Sequence, residues 1–279
     1  AISNLQKGSN ERYYESFNFA VGEKTEPGST FKLPVLMVAL EDGYVDLDDS
    51  IQTGHGVVQY HDIKVRDSRK GGYGKISVQE VFEFSSNVGM SKIISDNYKG
   101  REKDFVEALY GMHLNEKAGV CLTGEADPYI KYPGDKYWWG TSLPQMSYGY
   151  EVQMTPLQIL MFYNAIANNG IMVRPRFVKA ITHHGRTIER FDPEVIDRRI
   201  ASPSTIRKAR IMLEGVVENG TATNLANLNF RIAGKTGTAQ IANKKYGYKY
   251  NSKVSYQASF VGYFPAENPK YSCIVVVNE

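Results

Sequence analysis

Two cysteines in 279 residues, with no CxxC pair and no HExxH, leave little room for a zinc site or a disulfide scaffold. Cys121 and Cys273 stand far apart, so they form one bridge or are two small core residues. The apolar run Cys273-Ile274-Val275-Val276-Val277 favours the core. The five histidines, His55, His61, His113, His183 and His184, lack the company of a metal site and read as loop or surface residues. An excess of one charge is also missing. The 33 Lys and Arg against 30 Asp and Glu give a net +3, and the cations are scattered, which argues against nucleic acid as a partner. No apolar stretch reaches the roughly 18 residues of a membrane helix, so neither anchor nor signal segment is expected within the chain. No internal repeat or low-complexity linker divides it, and a single domain over 1–279 is expected.

What is present suits a globular domain: 42% hydrophobic residues with 23% charged is enough for a sizeable core. Residues 1–28 are polar and turn-rich, with Phe17 and Phe19 alternating as in a short extended piece that ends at Pro27-Gly28. From Ser29 to about Glu41 runs an apolar helical segment that stops at Asp42-Gly43. The stretch 44–76 is rich in Gly, Asp and short polar residues and reads as loops. Ser77, with Glu80 three residues on, forms a capping box for a helix that breaks near Ser85-Ser86-Asn87 and resumes through Ile94. Thr155-Pro156 opens another helix, closed by Asn168-Asn169-Gly170, and Ser202-Pro203 opens a further one that runs to about Glu218. Strands are expected around 177–182, 187–191, 230–241, 255–264 and 271–277. Pro265-Ala266-Glu267-Asn268-Pro269 turns between the last two. This order implies an α/β fold: a central, mainly antiparallel sheet flanked by helices, plus a mainly helical subdomain.

Ser29-Thr30-Phe31-Lys32 places a hydroxyl and an ammonium one helical turn apart, directly after Pro27-Gly28. Serine needs a base to become a nucleophile, and a lysine flanked by Phe31 and Leu33 is open to desolvation, which lowers its pKa toward that task. Taken alone, Ser-x-x-Lys arises readily by chance. Pro34 conflicts with a regular helix there, so either the helix effectively begins near Ser29 or its first turn is distorted.

Ser85-Ser86-Asn87 offers a hydroxyl and an amide two positions apart that could bridge an ammonium and a substrate amide, although a polar helix break is the plainer reading. Lys235-Thr236-Gly237-Thr238 lies in a strand-like run. Lys235 and the hydroxyls of Thr236 and Thr238 suit a carboxylate, Gly237 suits close approach of a ligand or another backbone, and a backbone N–H near Thr238 suits an oxyanion. SxxK, SDN and KTG together are the joint signature of class A β-lactamases and penicillin-binding proteins, and all three occur here in that order, with SSN for SDN.

The chain therefore resembles a penicillin-binding protein, in particular the transpeptidase domain of a class B protein of the cell-division type. Its carriers are Glu26-Pro27-Gly28-Ser29-Thr30-Phe31-Lys32, Ser85-Ser86-Asn87-Val88-Gly89-Met90, Lys235-Thr236-Gly237-Thr238-Ala239-Gln240, Ser147-Tyr148-Gly149-Tyr150 through Gln158, and Ser259-Phe260-Val261-Gly262-Tyr263-Phe264-Pro265. The resemblance implies the penicillin-binding/serine β-lactamase-like fold and a peptidoglycan D,D-transpeptidase with no metal or organic cofactor. In that reading Ser29 attacks the D-Ala-D-Ala stem peptide, an amine resolves the acyl-enzyme, and β-lactams acylate the same serine. Lys32 is the base, Ser85 relays a proton, and Asn87 holds Lys32 or the substrate amide. Lys235 supplies positive charge, and Thr236, Gly237 and Thr238 bind substrate. The resemblance also implies an extracytoplasmic protein, anchored by a segment outside this chain and working with membrane-anchored cell-wall or division machinery.

Two departures stand out. Glu151 follows Ser147-Tyr148-Gly149-Tyr150 where similar proteins carry a small residue, and the chain stops at Glu279, before the further strand and helix that similar domains have. A D,D-carboxypeptidase, a serine β-lactamase and a β-lactam sensor share the same motifs; the β-lactamase is disfavoured because no ExxLN-like segment lies between Asn87 and Lys235. The aromatic, basic stretch Lys244-Lys245-Tyr246-Gly247-Tyr248-Lys249-Tyr250 either shapes access to the site or is a solvent loop.

Overall fold

The chain begins with a short antiparallel pair, β1 (Leu5–Lys7) and β2 (Tyr13–Glu15), followed by a single helical turn, α1 (Phe19–Gly22). The structure, a computed structural model, describes residues 2–15, 17–226, 229–241 and 255–278. The extended piece expected through Phe19 is thus a helical turn from that residue on, with the Phe17 and Phe19 rings edge to face at 5.1 Å.

Pro34 decides where the first long helix starts. Gly28–Phe31 winds as a 3₁₀ turn, and α2 runs from Lys32 to Glu41. Pro34 therefore lies in the first turn of α2, where backbone N–H groups have no intrahelical acceptor in any case, so its missing donor costs little. The conflict seen in the sequence is resolved by a distorted first turn. Every residue from Lys32 to Leu40 is buried, as befits a helix that is apolar nearly all round.

Residues 50–77 are not loops. β3 (Ser50–Gly54) pairs antiparallel with β6 (Gly74–Ser77), and β4 (Val57–Tyr60) with β5 (Ile63–Arg66) between them. The strands are too short to show a clear period in the sequence.

Ser77 then caps α3 (Val78–Glu83) with the full reciprocal box, its hydroxyl taking the Glu80 N–H while the Glu80 carboxylate takes that of Ser77. Ser86 caps α4 (Asn87–Tyr98), and α5 (Glu102–Gly111) completes the helical subdomain on α2. Beyond it, β7 (Tyr129–Ile130) pairs with β8 (Val152–Gln153) around the short α6 (Ser142–Met146).

Thr155 and Gln158 form a second capping box on α7 (Pro156–Ala167). β9 (Met172–Val173), the exposed hairpin β10 (Ala180–His183) and β11 (Arg186–Arg190), and β12 (Val195–Asp197) lead to α8 (Pro203–Glu218). The main sheet is antiparallel in the order β13 (Ala233–Ile241), β14 (Ser255–Phe264), β15 (Tyr271–Asn278). Helix α7 packs on β14 and β15, and α8 packs on β13. The 3₁₀ turn lies along β13, which brings the start of the chain to the strand near its end.

Both cysteines are free and exposed, which corrects the expectation of core residues. In β15, Ser272 turns toward α7 and donates to Asn164 Oδ1 at 3.0 Å. Cys273, Val275 and Val277 take the opposite, exposed face, because a strand alternates its side chains whatever its composition.

Candidate active site

The site grows from three elements that the fold brings together. The 3₁₀ turn carries Ser29, half-buried, with Lys32 directly after it, and the backbone N–H of Lys32 donates to the Ser29 carbonyl. The turn is held on several sides. Thr30 Oγ1 donates to the Pro27 carbonyl at 2.9 Å, Tyr163 Oη donates to the Thr30 carbonyl at 2.8 Å, and Gly28 N–H donates to the Gly149 carbonyl at 3.1 Å. Gly149 has φ +89°, and a Cβ there would collide with the Gly28 carbonyl, so backbone meets backbone without clearance.

Lys32 is fully buried and its ammonium is surrounded by acceptors: the Ser85 carbonyl at 2.7 Å, Ser85 Oγ at 3.0 Å and Asn87 Oδ1 at 2.6 Å. These three match the three donors of an ammonium, and none of them is Ser29. Burial holds the Lys32 pKa well below the ordinary lysine value; the nearby Lys235 charge pushes the same way, and Asp67 opposes both.

Ser85 presents both of its oxygens to Lys32 because its backbone is left-handed, at φ +57°. For a residue with a Cβ that conformation costs about 1–2 kcal/mol. Backbone bonds from Ser85 N–H to the Phe82 carbonyl and from Ser86 N–H to the Val81 carbonyl hold it there. Asn87 Nδ2 donates to the Arg66 carbonyl at 3.0 Å, which fixes its oxygen toward Lys32.

Strand β13 supplies the third side. Lys235 is fully buried, donates to the Thr236 carbonyl at 3.0 Å and stands 5.7 Å from the centre of the Phe82 ring. Burial lowers its pKa to about 7. Thr236 is half-buried, Gly237 buried and Thr238 exposed, and a Cβ on Gly237 would lie 3.0 Å from Thr30 Cγ2. The strand and the 3₁₀ turn thus touch closely at this glycine, where a Cβ would also collide with Ser259 Oγ of β14. Among the described residues, no three His, Cys, Asp or Glu side chains gather in a way that could hold a metal ion.

A family model, the penicillin binding protein transpeptidase domain, matches residues 2–279. The chain belongs to this family. It is 34% identical over 262 residues to penicillin-binding protein PbpB of Mycolicibacterium smegmatis, covering 91% of this chain and 39% of the relative. It is 30% identical over 263 residues to the peptidoglycan D,D-transpeptidase FtsI of Escherichia coli K12, covering 94% and 41%. The chain spans about two fifths of the length of these curated relatives. Among solved structures, penicillin-binding protein 3 of Mycobacterium tuberculosis in complex with aztreonam superposes with a TM-score of 0.80 at 30% identity, covering 97% of this chain and 59% of that one. The apo transpeptidase domain of Burkholderia pseudomallei penicillin-binding protein 3 gives 0.78, also at 30% identity, covering 94% and 73%. The penicillin-binding fold expected from the motifs is the fold observed.

Within this penicillin-binding fold, Lys32, Ser85 and Asn87 are directly bonded, Lys235 acts on Lys32 through its charge, and Ser29 stands one turn before Lys32. Sequence reasoning missed Asp67. Its carboxylate accepts from Ser86 Oγ at 2.9 and 3.1 Å and from Val88 N–H at 3.0 Å, so it holds the start of α4 and the Ser85-Ser86-Asn87 turn. Nothing local marks it, because its partners lie 19 and 21 residues away. Glu151 proves to occupy a left-handed position, φ +60°, and pairs with the buried Lys131, itself another residue no motif pointed to. The stretch Lys244–Tyr250 lies outside the described residues. No helix among the described residues is long and apolar enough to cross a membrane.

Proposed function

We propose that this domain is a serine-type peptidoglycan D,D-transpeptidase, acylated at Ser29 by the stem peptide and by β-lactams. The observation that carries the reading is the buried Lys32, one turn beyond Ser29, held by Ser85 and Asn87 and depressed in pKa by burial and by Lys235. A neutral lysine has two N–H donors and one lone pair. It keeps two of the three acceptors it has now, which leaves the lone pair for the Ser29 hydroxyl.

In the proposed reaction Ser29 Oγ attacks the carbonyl between the two terminal D-alanines, and its proton passes to Lys32. Collapse of the tetrahedral intermediate breaks the C–N bond. The leaving nitrogen takes a proton through Ser85, whose Oγ accepts from Lys32 at 3.0 Å. Lys235, with Thr236 and Thr238, holds the substrate carboxylate, and a backbone N–H of β13 near Thr238 faces the oxyanion. An amine of a neighbouring strand attacks the ester and restores Ser29. In a β-lactam the expelled nitrogen stays tethered to the acyl group, so the ester persists. The relatives named D,D-transpeptidase and the aztreonam complex of a structural neighbour support this chemistry. An extracytoplasmic site of action, in an anchored protein that works with the division machinery, is part of the same proposal and rests on the family resemblance alone.

Intact-mass spectrometry after exposure to benzylpenicillin, with peptide mapping, tests the reading. The expected result is one lasting adduct on Ser29, absent from Ser29→Ala. An adduct elsewhere, or drug consumed with no lasting adduct, would overturn it.

A further inference from the structure

The loop after α8 brings a second hydroxyl to Thr236. Thr221 Oγ1 and Thr236 Oγ1 are 2.6 Å apart, a hydrogen bond in which either can donate. Thr221 is exposed, yet its backbone is rigidly placed. Its N–H donates to the Glu83 carbonyl at 3.2 Å, and the next N–H, of Ala222, donates to the Val216 carbonyl at 3.0 Å. On the other side, Gly220 lies so close to Glu83 that a Cβ would collide with the Glu83 carbonyl. Glu83 ends α3, two residues before Ser85. One short loop therefore registers β13 against the turn that carries Ser85.

A hydrogen bond between an exposed and a half-buried hydroxyl adds little to stability, since water would serve each of them nearly as well. Its value lies in direction. When one hydroxyl donates to another, one proton of the pair remains free, and the acceptor hydroxyl becomes a better donor in turn. Beside a substrate carboxylate, the favoured arrangement is Thr221 O–H donating to Thr236 Oγ1 and Thr236 O–H donating to the anion.

We propose that Thr221 is a positioning residue for carboxylate recognition: it fixes the Thr236 side chain and orients its proton toward the carboxylate of the acyl donor. This rests on the reading above that Thr236 meets that carboxylate. Thr221 acts through Thr236 and touches no reacting atom.

The test compares acylation rates of the whole domain with benzylpenicillin and with its methyl ester. Thr221→Val removes the hydroxyl at nearly constant shape and lowers acylation by the free acid about ten-fold, the upper scale of one hydrogen bond between neutral groups. It leaves the ester rate within about two-fold, and Thr221→Ser restores the acid rate. In a Thr236→Val background, Thr221→Val has no further effect, because the path it serves is already gone. Equal losses for acid and ester, no loss for either, failure of Thr221→Ser to rescue, or a full additional loss in the Thr236→Val background would each overturn the proposal. Should Thr221→Val not fold, the Thr221→Ser and Thr221→Ala pair carries the same comparison. A wild-type domain that takes no label at Ser29 would instead remove the transpeptidase reading and this inference with it.

Discussion

Replacing Glu151 by glycine sets two effects of opposite sign against each other. Glu151 holds φ +60°, where an L-residue costs about 1–2 kcal/mol that glycine avoids. Glycine's greater freedom in the unfolded chain takes back about 0.4–1 kcal/mol of that gain. Against the remainder stands Lys131, 9% exposed, whose ammonium pairs with the Glu151 carboxylate and, among the described residues, otherwise reaches Ser142 Oγ at 3.4 Å. Removing one partner of a buried pair strands the other charge, at roughly 3–5 kcal/mol. Glu151→Gly is therefore expected to destabilise the domain by about 3 kcal/mol, or roughly 6–12 °C in Tm for a chain of this size. Adding Lys131→Met removes the stranded charge and should bring the double variant back to within about 1 kcal/mol of wild type. Urea unfolding of the four proteins gives the full cycle. A Glu151→Gly variant as stable as wild type, or more so, would show that backbone strain outweighs the ion pair and would refute the reasoning.

Other expectations follow from the site. Lys32→Ala should fold and acylate about 10²-fold more slowly with benzylpenicillin, as loss of a general base does; an unchanged rate by stopped-flow labelling would move the base elsewhere. Lys235, with its pKa lowered to about 7 from 10.5, binds fewer protons folded than unfolded between those values, so its contribution makes stability rise with pH across that window. The slope is at most about 1.4 kcal/mol per pH unit, and Lys235→Met should flatten it in urea titrations between pH 7 and 9. Over the same range the ammonium is lost, so the preference for free acid over ester should shrink as pH rises through about 7. Gly237→Ala puts a methyl group onto Ser259 Oγ, which must swing away, and 3.0 Å from Thr30 Cγ2, which presses β13 off the turn that bears Ser29. Labelling should fall by about 10²-fold, as small displacements in a reacting geometry do, while far-UV circular dichroism stays unchanged.

Local chemistry was legible in the sequence. The boxes Ser77/Glu80 and Thr155/Gln158 cap the helices they were expected to cap, because both partners lie within one turn. Pro34 left two alternatives, a helix beginning near Ser29 or a distorted first turn, and the 3₁₀ segment answers to the second. What depends on distant partners was hidden. Cys273 sits in an apolar run, yet its burial is decided by which face α7 covers. The hairpins within 50–77 have strands of four or five residues, too short for a period to show. Lys32, Ser85 and Lys235 could be picked out by motif, whereas Asp67 and Thr221 could not, since their roles come from chain segments that only the fold brings near.

The contact between the 3₁₀ turn and β13 also orders events in time. Ser29 belongs to the first tenth or so of the chain and Lys235 to its last fifth, and β13 needs β14, later still, to complete its ladder. Closing contacts across so much sequence is slow, and during synthesis the early segments must wait for the late ones. A chain still missing its C-terminal strands holds a serine and a lysine on one turn but no Lys235 beside them. If Ser29 is the acylated residue, as proposed, its labelling reports this contact: in a mixed population, the labelled fraction counts the molecules in which the early and the late segment have met.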